Sequence, residues 1–148
     1  MKTIVARGLV VIIAFVFTSF NELKTGADLN NTAFIIELEG RYEIPPVKTD
    51  ARGVALIRVT SDMQLHTRIM VHRLNQNDGQ LISAYIHSGA AGANGPALVV
   101  IAATPADFDK NVAQPLTNAQ YESLLNDPIY VNVVTSTRPA GLIRGQVR

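Results

Sequence analysis

The clearest strand pattern in this chain is the stretch LHTRIMVH at residues 65–72. Its odd positions carry Leu, Thr, Ile and Val, and its even positions carry His, Arg, Met and His. Successive side chains of a β-strand point to opposite faces, so this period of two predicts a strand with one buried face. Ile69 is therefore expected in the core and Met70 on the opposite face.

The same alternation extends outward from this stretch in both directions. It occurs at 34–39 and 55–59, and further strands are predicted at 81–87, 97–103, 130–135 and 142–148. Turn-forming residues separate them at 75–79, 89–96 and 138–141. About seven short strands at this spacing predict an antiparallel β-sandwich. The predicted core contains Phe34, Ile36, Leu38, Ile57, Val59, Ile69, Val71, Ile86, Val131, Val133 and Ile143.

One helix is predicted among the strands. Thr117 and Gln120 form a capping box, in which each side chain satisfies a backbone amide of the first turn. Asp127 and Pro128 end the helix, because proline has no amide hydrogen and clashes with the preceding turn. The predicted fold class is all-β with one short helix, and no repeat or second domain interrupts it.

Composition limits the classes of function. Of 148 residues 47% are hydrophobic and 17% are charged, which predicts a globular domain. Thirteen basic residues balance twelve acidic ones, so nucleic-acid binding is not expected. The chain has no cysteine, which excludes disulfides, thiolate metal sites, cysteine nucleophiles and a bacterial lipoprotein anchor.

The N-terminal 27 residues have the order of a signal peptide. Lys2 and Arg7 are basic, residues 9–17 form an uncharged apolar run, and Ala27 supplies a small residue for cleavage before Asp28. Residues 1–27 are predicted to be a signal peptide or, if uncleaved, an N-terminal anchor that tethers the chain to a membrane through residues 1–20. The domain at 28–148 is therefore expected to be exported to the periplasm, the cell surface or the medium.

Three features of the domain have both a structural and a functional interpretation. Residues 43–47 contain two prolines, which favour a rigid connector over a ligand site. His87, at the end of a predicted strand, is either a hydrogen-bonding surface residue or a metal ligand. Arg144 is either a structural pin that donates to loop carbonyls or a substrate-binding residue. Tyr85, His87, Tyr130, Asn132 and Arg144 form the candidate binding surface.

Several motifs in order resemble the CHRD domain, the module named after chordin. They run from about residue 33 to 148 and include E-x-P-P-V at 43–47, A-x-I-H-x-G at 84–89, Y-V-N-V at 130–133 and G-x-I-R-G-Q at 141–146. The resemblance implies an immunoglobulin-like or superoxide-dismutase-like sandwich.

The chain departs from the family pattern at three positions. The family usually has histidine where Tyr85 and Val134 stand, and glutamate where Leu142 stands. By resemblance, the family histidines would share one sheet face with His87, as metal ligands or proton-transfer groups would. A single imidazole is not a stable zinc or copper site, so no metal or cofactor is predicted.

Two functions remain open at this point. The first is a non-catalytic binding or structural module of the periplasm or cell surface, with a protein or small-molecule ligand. The alternative is a metal-binding or superoxide-dismutase-like enzyme whose histidine cluster is largely lost. No catalytic residue is predicted, because no Ser-His-Asp set, phosphate loop or carboxylate pair is recognisable.

Overall fold

The computed structural model describes residues 32–148, so the predicted signal peptide or anchor lies outside the described residues. Eight strands and one α-helix follow the chain order β1 (Thr32–Glu39), β2 (Arg52–Val59), β3 (Gln64–His72), β4 (Leu81–Ser88), β5 (Ala97–Ala102), β6 (Val112–Pro115), α1 (Asn118–Asn126), β7 (Ile129–Thr135) and β8 (Ile143–Gln146). Short 3-10 turns lie at Gly40–Tyr42, Gln76–Asp78 and Pro105–Asp107. No helix of this described part is long and apolar enough to cross a membrane.

The strands form one antiparallel sheet in the order β5-β4-β7-β8-β1-β2-β3-β6. Its two end strands approach each other, so the sheet is nearly closed like a barrel. The Gln114 side chain on β6 donates to the Val100 carbonyl on β5 at 2.7 Å, and Thr67 on β3 donates to the Ile101 carbonyl at 3.5 Å. The all-β antiparallel class is confirmed, and residues 32–148 contain one short α-helix, while the sandwich and its immunoglobulin-like or superoxide-dismutase-like arrangement stay a prediction.

The alternation in the sequence correctly predicts which residues form the core. β2 and β3 pair over their full lengths, and every second side chain of β2 is buried. Nine of the eleven predicted core residues are buried, whereas Phe34 and Val71 are partly buried and pack against the core. Period two thus identified the inward face of these strands.

The helix begins and ends as its sequence predicts. The Thr117 hydroxyl accepts from the Gln120 amide at 3.2 Å, and the Gln120 side chain accepts from the Thr117 amide at 3.0 Å. Leu124 is fully buried, and the Gln120 side-chain amide donates to the Leu98 carbonyl at 3.0 Å. The capping box therefore starts the helix and also helps attach it to β5.

Two connections cover the outer face of the sheet where β7 and β8 lie. One is the proline segment (residues 40–47), in which the Val47 amide donates to the Gly40 carbonyl at 2.8 Å. The other is the glycine-rich loop (residues 89–96) between β4 and β5. Asn94 joins the two, because its side-chain amide donates to the Ile44 carbonyl at 2.8 Å. As a result, β7 and β8 are buried on both faces, unlike β2 and β3.

Candidate functional site

The five predicted site residues converge on the outer face of three adjacent strands. His87 on β4 lies opposite Tyr130 on β7, and Tyr85 lies opposite Asn132. Asn132 in turn lies opposite Arg144 on β8. Antiparallel pairing brings these side chains to one face because each belongs to the alternate set that points away from the core. We refer to these five residues as the outer cluster.

The aromatic and cationic members of the outer cluster pack against each other. The Arg144 guanidinium carbon lies 3.4 Å from the centroid of the Tyr130 ring, which is a close cation–π contact. The His87 ring stacks on Tyr130 with centroids 4.9 Å apart and planes 10° apart. Tyr85 meets His87 edge-on at 5.8 Å. Arg144, Tyr130, His87 and Tyr85 thus form a continuous series of contacts across three strands.

The glycine-rich loop covers much of this stack. Tyr130, Asn132 and Arg144 are only 2%, 5% and 2% exposed, whereas Tyr85 and His87 are partly exposed. Most residues of this loop are glycine or alanine, so its backbone can lie close to the strands. Tyr130 and Arg144 therefore lie beneath the glycine-rich loop, and Asn132 is covered by Glu43 and the turn at residues 138–141.

Polar side chains from the cluster hold the loop by its backbone. Arg144 donates to the Ala93 carbonyl at 2.8 Å and to the Asn94 side-chain oxygen at 3.0 Å. The His87 Nδ1 atom donates to the Gly95 carbonyl at 2.9 Å, and the Tyr130 hydroxyl accepts from the Gly95 amide at 3.1 Å. Arg144 thus makes the loop contacts expected of a structural pin, because its fork of donors matches several carbonyls at once.

A groove of about 590 Å³ opens beside the cluster. It lies between the outer face of β1, the proline segment and the glycine-rich loop. Its lining residues are Ile35, Ile36, Glu37, Arg41, Tyr42, Glu43, Ile44, Pro46, Ala91, Gly92, Arg144 and Gln146. Ile35 and Tyr42 are 58% and 43% exposed, which is unusual for large apolar side chains that share one concave surface.

A smaller cavity of about 240 Å³ lies on the other side of the cluster. Tyr85, His87, Asn132 and Val134 line it, together with residues of the adjoining strand and turn. The two positions at which the family pattern has histidine therefore do lie around one space with His87. Within residues 32–148, no group of three or more His, Cys, Asp or Glu side chains is placed to hold a metal ion. The side chains around this cavity supply one imidazole and do not fit a transition-metal centre.

Sequence reasoning missed Glu43, which was interpreted only as part of a rigid proline connector. Its side chain is 5% exposed at the edge of the groove, and the Asn132 amide donates to its Oε2 atom at 3.4 Å. Burial raises the pKa of Glu43 to about 7, because the charged form loses its hydration, and the positive charge of Arg144 lowers that pKa by a smaller amount. The adjacent prolines signalled a turn but not what the turn buries.

Comparison with known proteins gives a single assignment. The family model of the CHRD domain matches residues 34–147. The chain matches no curated protein and no solved structure. The matched residues include the outer cluster, the groove and all eight strands apart from the first two residues of β1. The chain therefore belongs to the CHRD domain family.

Proposed function

We propose that this CHRD domain is a β-sandwich and that it is an exported, non-catalytic binding module of the periplasm or cell surface. The groove beside the outer cluster is its binding site. The main support for this proposal is that two exposed apolar side chains, Ile35 and Tyr42, line one concave surface. Arg144 holds the glycine-rich loop that forms one side of this surface. Concave, mostly apolar surfaces with a few polar groups are the usual form of ligand sites.

The charges of the groove favour a ligand with a donor or cationic group. Arg41 is already paired, since its Nε atom lies 2.9 Å from a Glu39 oxygen and it donates to the Tyr42 hydroxyl at 2.9 Å. The Glu37 carboxylate has no ion pair or hydrogen bond with the described residues 32–148. A ligand that carries an apolar part and an amine would therefore match both the walls and Glu37.

The outer cluster is better suited to holding the loop than to catalysis. Arg144 and Tyr130 direct their polar atoms at the glycine-rich loop, and both are almost fully buried. The alternative is a metal-binding or superoxide-dismutase-like enzyme, which would require ligands beyond His87 at the smaller cavity. A full equivalent of transition metal in the purified protein would favour that alternative.

The binding site can be tested with a simple amphipathic amine. We expect n-octylamine to shift the amide resonances of residues 35–46 in a nuclear magnetic resonance titration, and octanoate of the same length to bind more weakly. Ile35→Asn should weaken octylamine binding by about fivefold or more, because an apolar contact is lost.

Ile82→Asn is the matched control, because Ile82 is 42% exposed but lies outside the groove. Equal effects of the two substitutions, or shifts scattered over the whole surface, would contradict the proposed site.

A further inference from the structure

Two buried side-chain oxygen atoms near Gly141 have no hydrogen-bond donor. They are Glu43 Oε1 and Asn132 Oδ1, and neither has a partner in the described part of the chain. Both lie close to Gly141, at 2.5 and 2.6 Å from the point where a side chain would begin. Buried polar atoms are nearly always hydrogen-bonded in folded proteins, so a pair of adjacent unpartnered acceptors needs a physical explanation.

The other atoms of the two side chains limit that explanation. The Asn132 side-chain nitrogen donates to Glu43 Oε2 at 3.4 Å and to the Ala140 carbonyl at 3.3 Å, which fixes Oδ1 as the atom without a partner. Glu43 Oε1 and Asn132 Oδ1 are both buried away from solvent. A carboxyl group in its acid form carries its own O–H donor, whereas a carboxylate only accepts.

We propose that Glu43 is a carboxylic acid in the folded domain and donates its hydrogen to Asn132 Oδ1. This single hydrogen bond satisfies both unpartnered oxygens. It joins the proline segment, which carries Glu43, to β7, which carries Asn132. We refer to the Glu43–Asn132 pair as the proton latch.

The surrounding charges are consistent with a neutral Glu43. The titratable or charged groups that line the groove with it are Glu37 on β1, Arg41 and Tyr42 on its own segment, and Arg144 on β8. Arg144 donates to Ala93, Asn94 and Gln146, and no ion pair joins it to Glu43 within residues 32–148. Burial therefore dominates over Arg144 and raises the pKa of Glu43 to about 7.

The latch makes the stability of the domain depend on pH in a defined direction. The pKa of Glu43 rises from an ordinary 4.5 to about 7 on folding, so the folded state binds the proton more tightly. The stabilisation is then fully present below about pH 4.5 and is lost as the pH rises through about 7. Above that pH a charge lies at the edge of the groove, which loosens the proline segment.

Two measurements on the purified protein test the latch. In a carbon-detected titration, the Glu43 carboxyl should change its chemical shift with a midpoint near pH 7. In urea unfolding, the unfolding constant of the unmodified protein should rise on the order of 50-fold between pH 5 and pH 8 through this group. Glu43→Gln keeps an amide donor for Asn132 and should remove that part of the pH dependence.

Glu37→Gln is the matched control, because it removes a carboxyl from the same groove and should leave the pH dependence intact. Retention of the full pH dependence in Glu43→Gln would overturn the latch. If that variant fails to fold, the titration of the unmodified protein still decides, because a Glu43 midpoint between about pH 4 and 5, the ordinary range, would also overturn it.

Discussion

Ile69 and Met70 are neighbours in β3 whose side chains point to opposite faces of the sheet. Ile69 is 1% exposed in the core, and Met70 is only partly buried on the outer face. Ile69→Ala should lower the free energy of unfolding by about 2–5 kcal/mol, because it removes buried methyl groups and leaves a cavity. Met70→Ala should cost much less, and urea denaturation of both variants measures the difference. Equal losses would mean that the facing of β3 is wrong.

Single residues differ in how far the sequence predicts their surroundings. The facing of Ile69 follows from the alternation of its own strand, which is local information. The burial of Glu43 does not, since it depends on β7 and the turn at residues 138–141, which are distant in sequence. The five cluster residues were predicted as a candidate binding surface, but the cover of Tyr130 and Arg144 by the glycine-rich loop was not predicted.

At the scale of elements, the turn before β8 is held close to the site. Gly141 has a φ of +131°, and a side chain there would meet Glu43 Oε1 and the Asn132 side chain at 2.5 Å. Gly141→Ala should therefore destabilise the domain by about 2 kcal/mol or more, through backbone strain and a clash with buried groups.

Gly92→Ala separates these two causes. Gly92 also has a positive φ, +80°, but no atom lies within 4 Å of the added carbon. The Gly92→Ala substitution should lower the free energy of unfolding by about 1 kcal/mol through backbone strain alone. Thermal or urea unfolding of the two variants gives the comparison, and a Gly92 variant that loses as much stability as the Gly141 variant would rule out the close packing described at the turn.

Elements with local signals were predicted and those with non-local ones were not. The helix follows from its capping box and its terminating proline, both of which lie within the helix or beside it. β6 was missed because it is four residues long and has no alternating run. It is held by pairing with β3 and by the Gln114 contact to β5, which only the folded chain provides.

At the scale of the whole molecule, export remains a prediction from residues 1–27. Protein made in a bacterial host should be recovered outside the cytoplasm with its first residue near Asp28, because the basic start, apolar run and small residues follow signal-peptide order. N-terminal sequencing of the fractionated protein checks this. Intact chain found free in the cytoplasm would contradict export.

The order of strands in the sheet also could not be predicted from the sequence. Antiparallel pairing of β2 with β3 follows from their short connection, but the placing of β8 between β7 and β1 requires chain segments more than a hundred residues apart to meet. Alternation predicts which face of a strand is buried, but it does not predict which strands pair with it.

The contact between Arg148 and Phe34 brings the last described residue beside the first strand. The Arg148 guanidinium carbon lies 5.2 Å from the centroid of the Phe34 ring, and its side chain also donates to the Leu125 carbonyl at 2.6 Å. A domain whose two ends are adjacent can be inserted into a loop of a host protein with little strain, because the entropic cost of closing a loop grows slowly with its length.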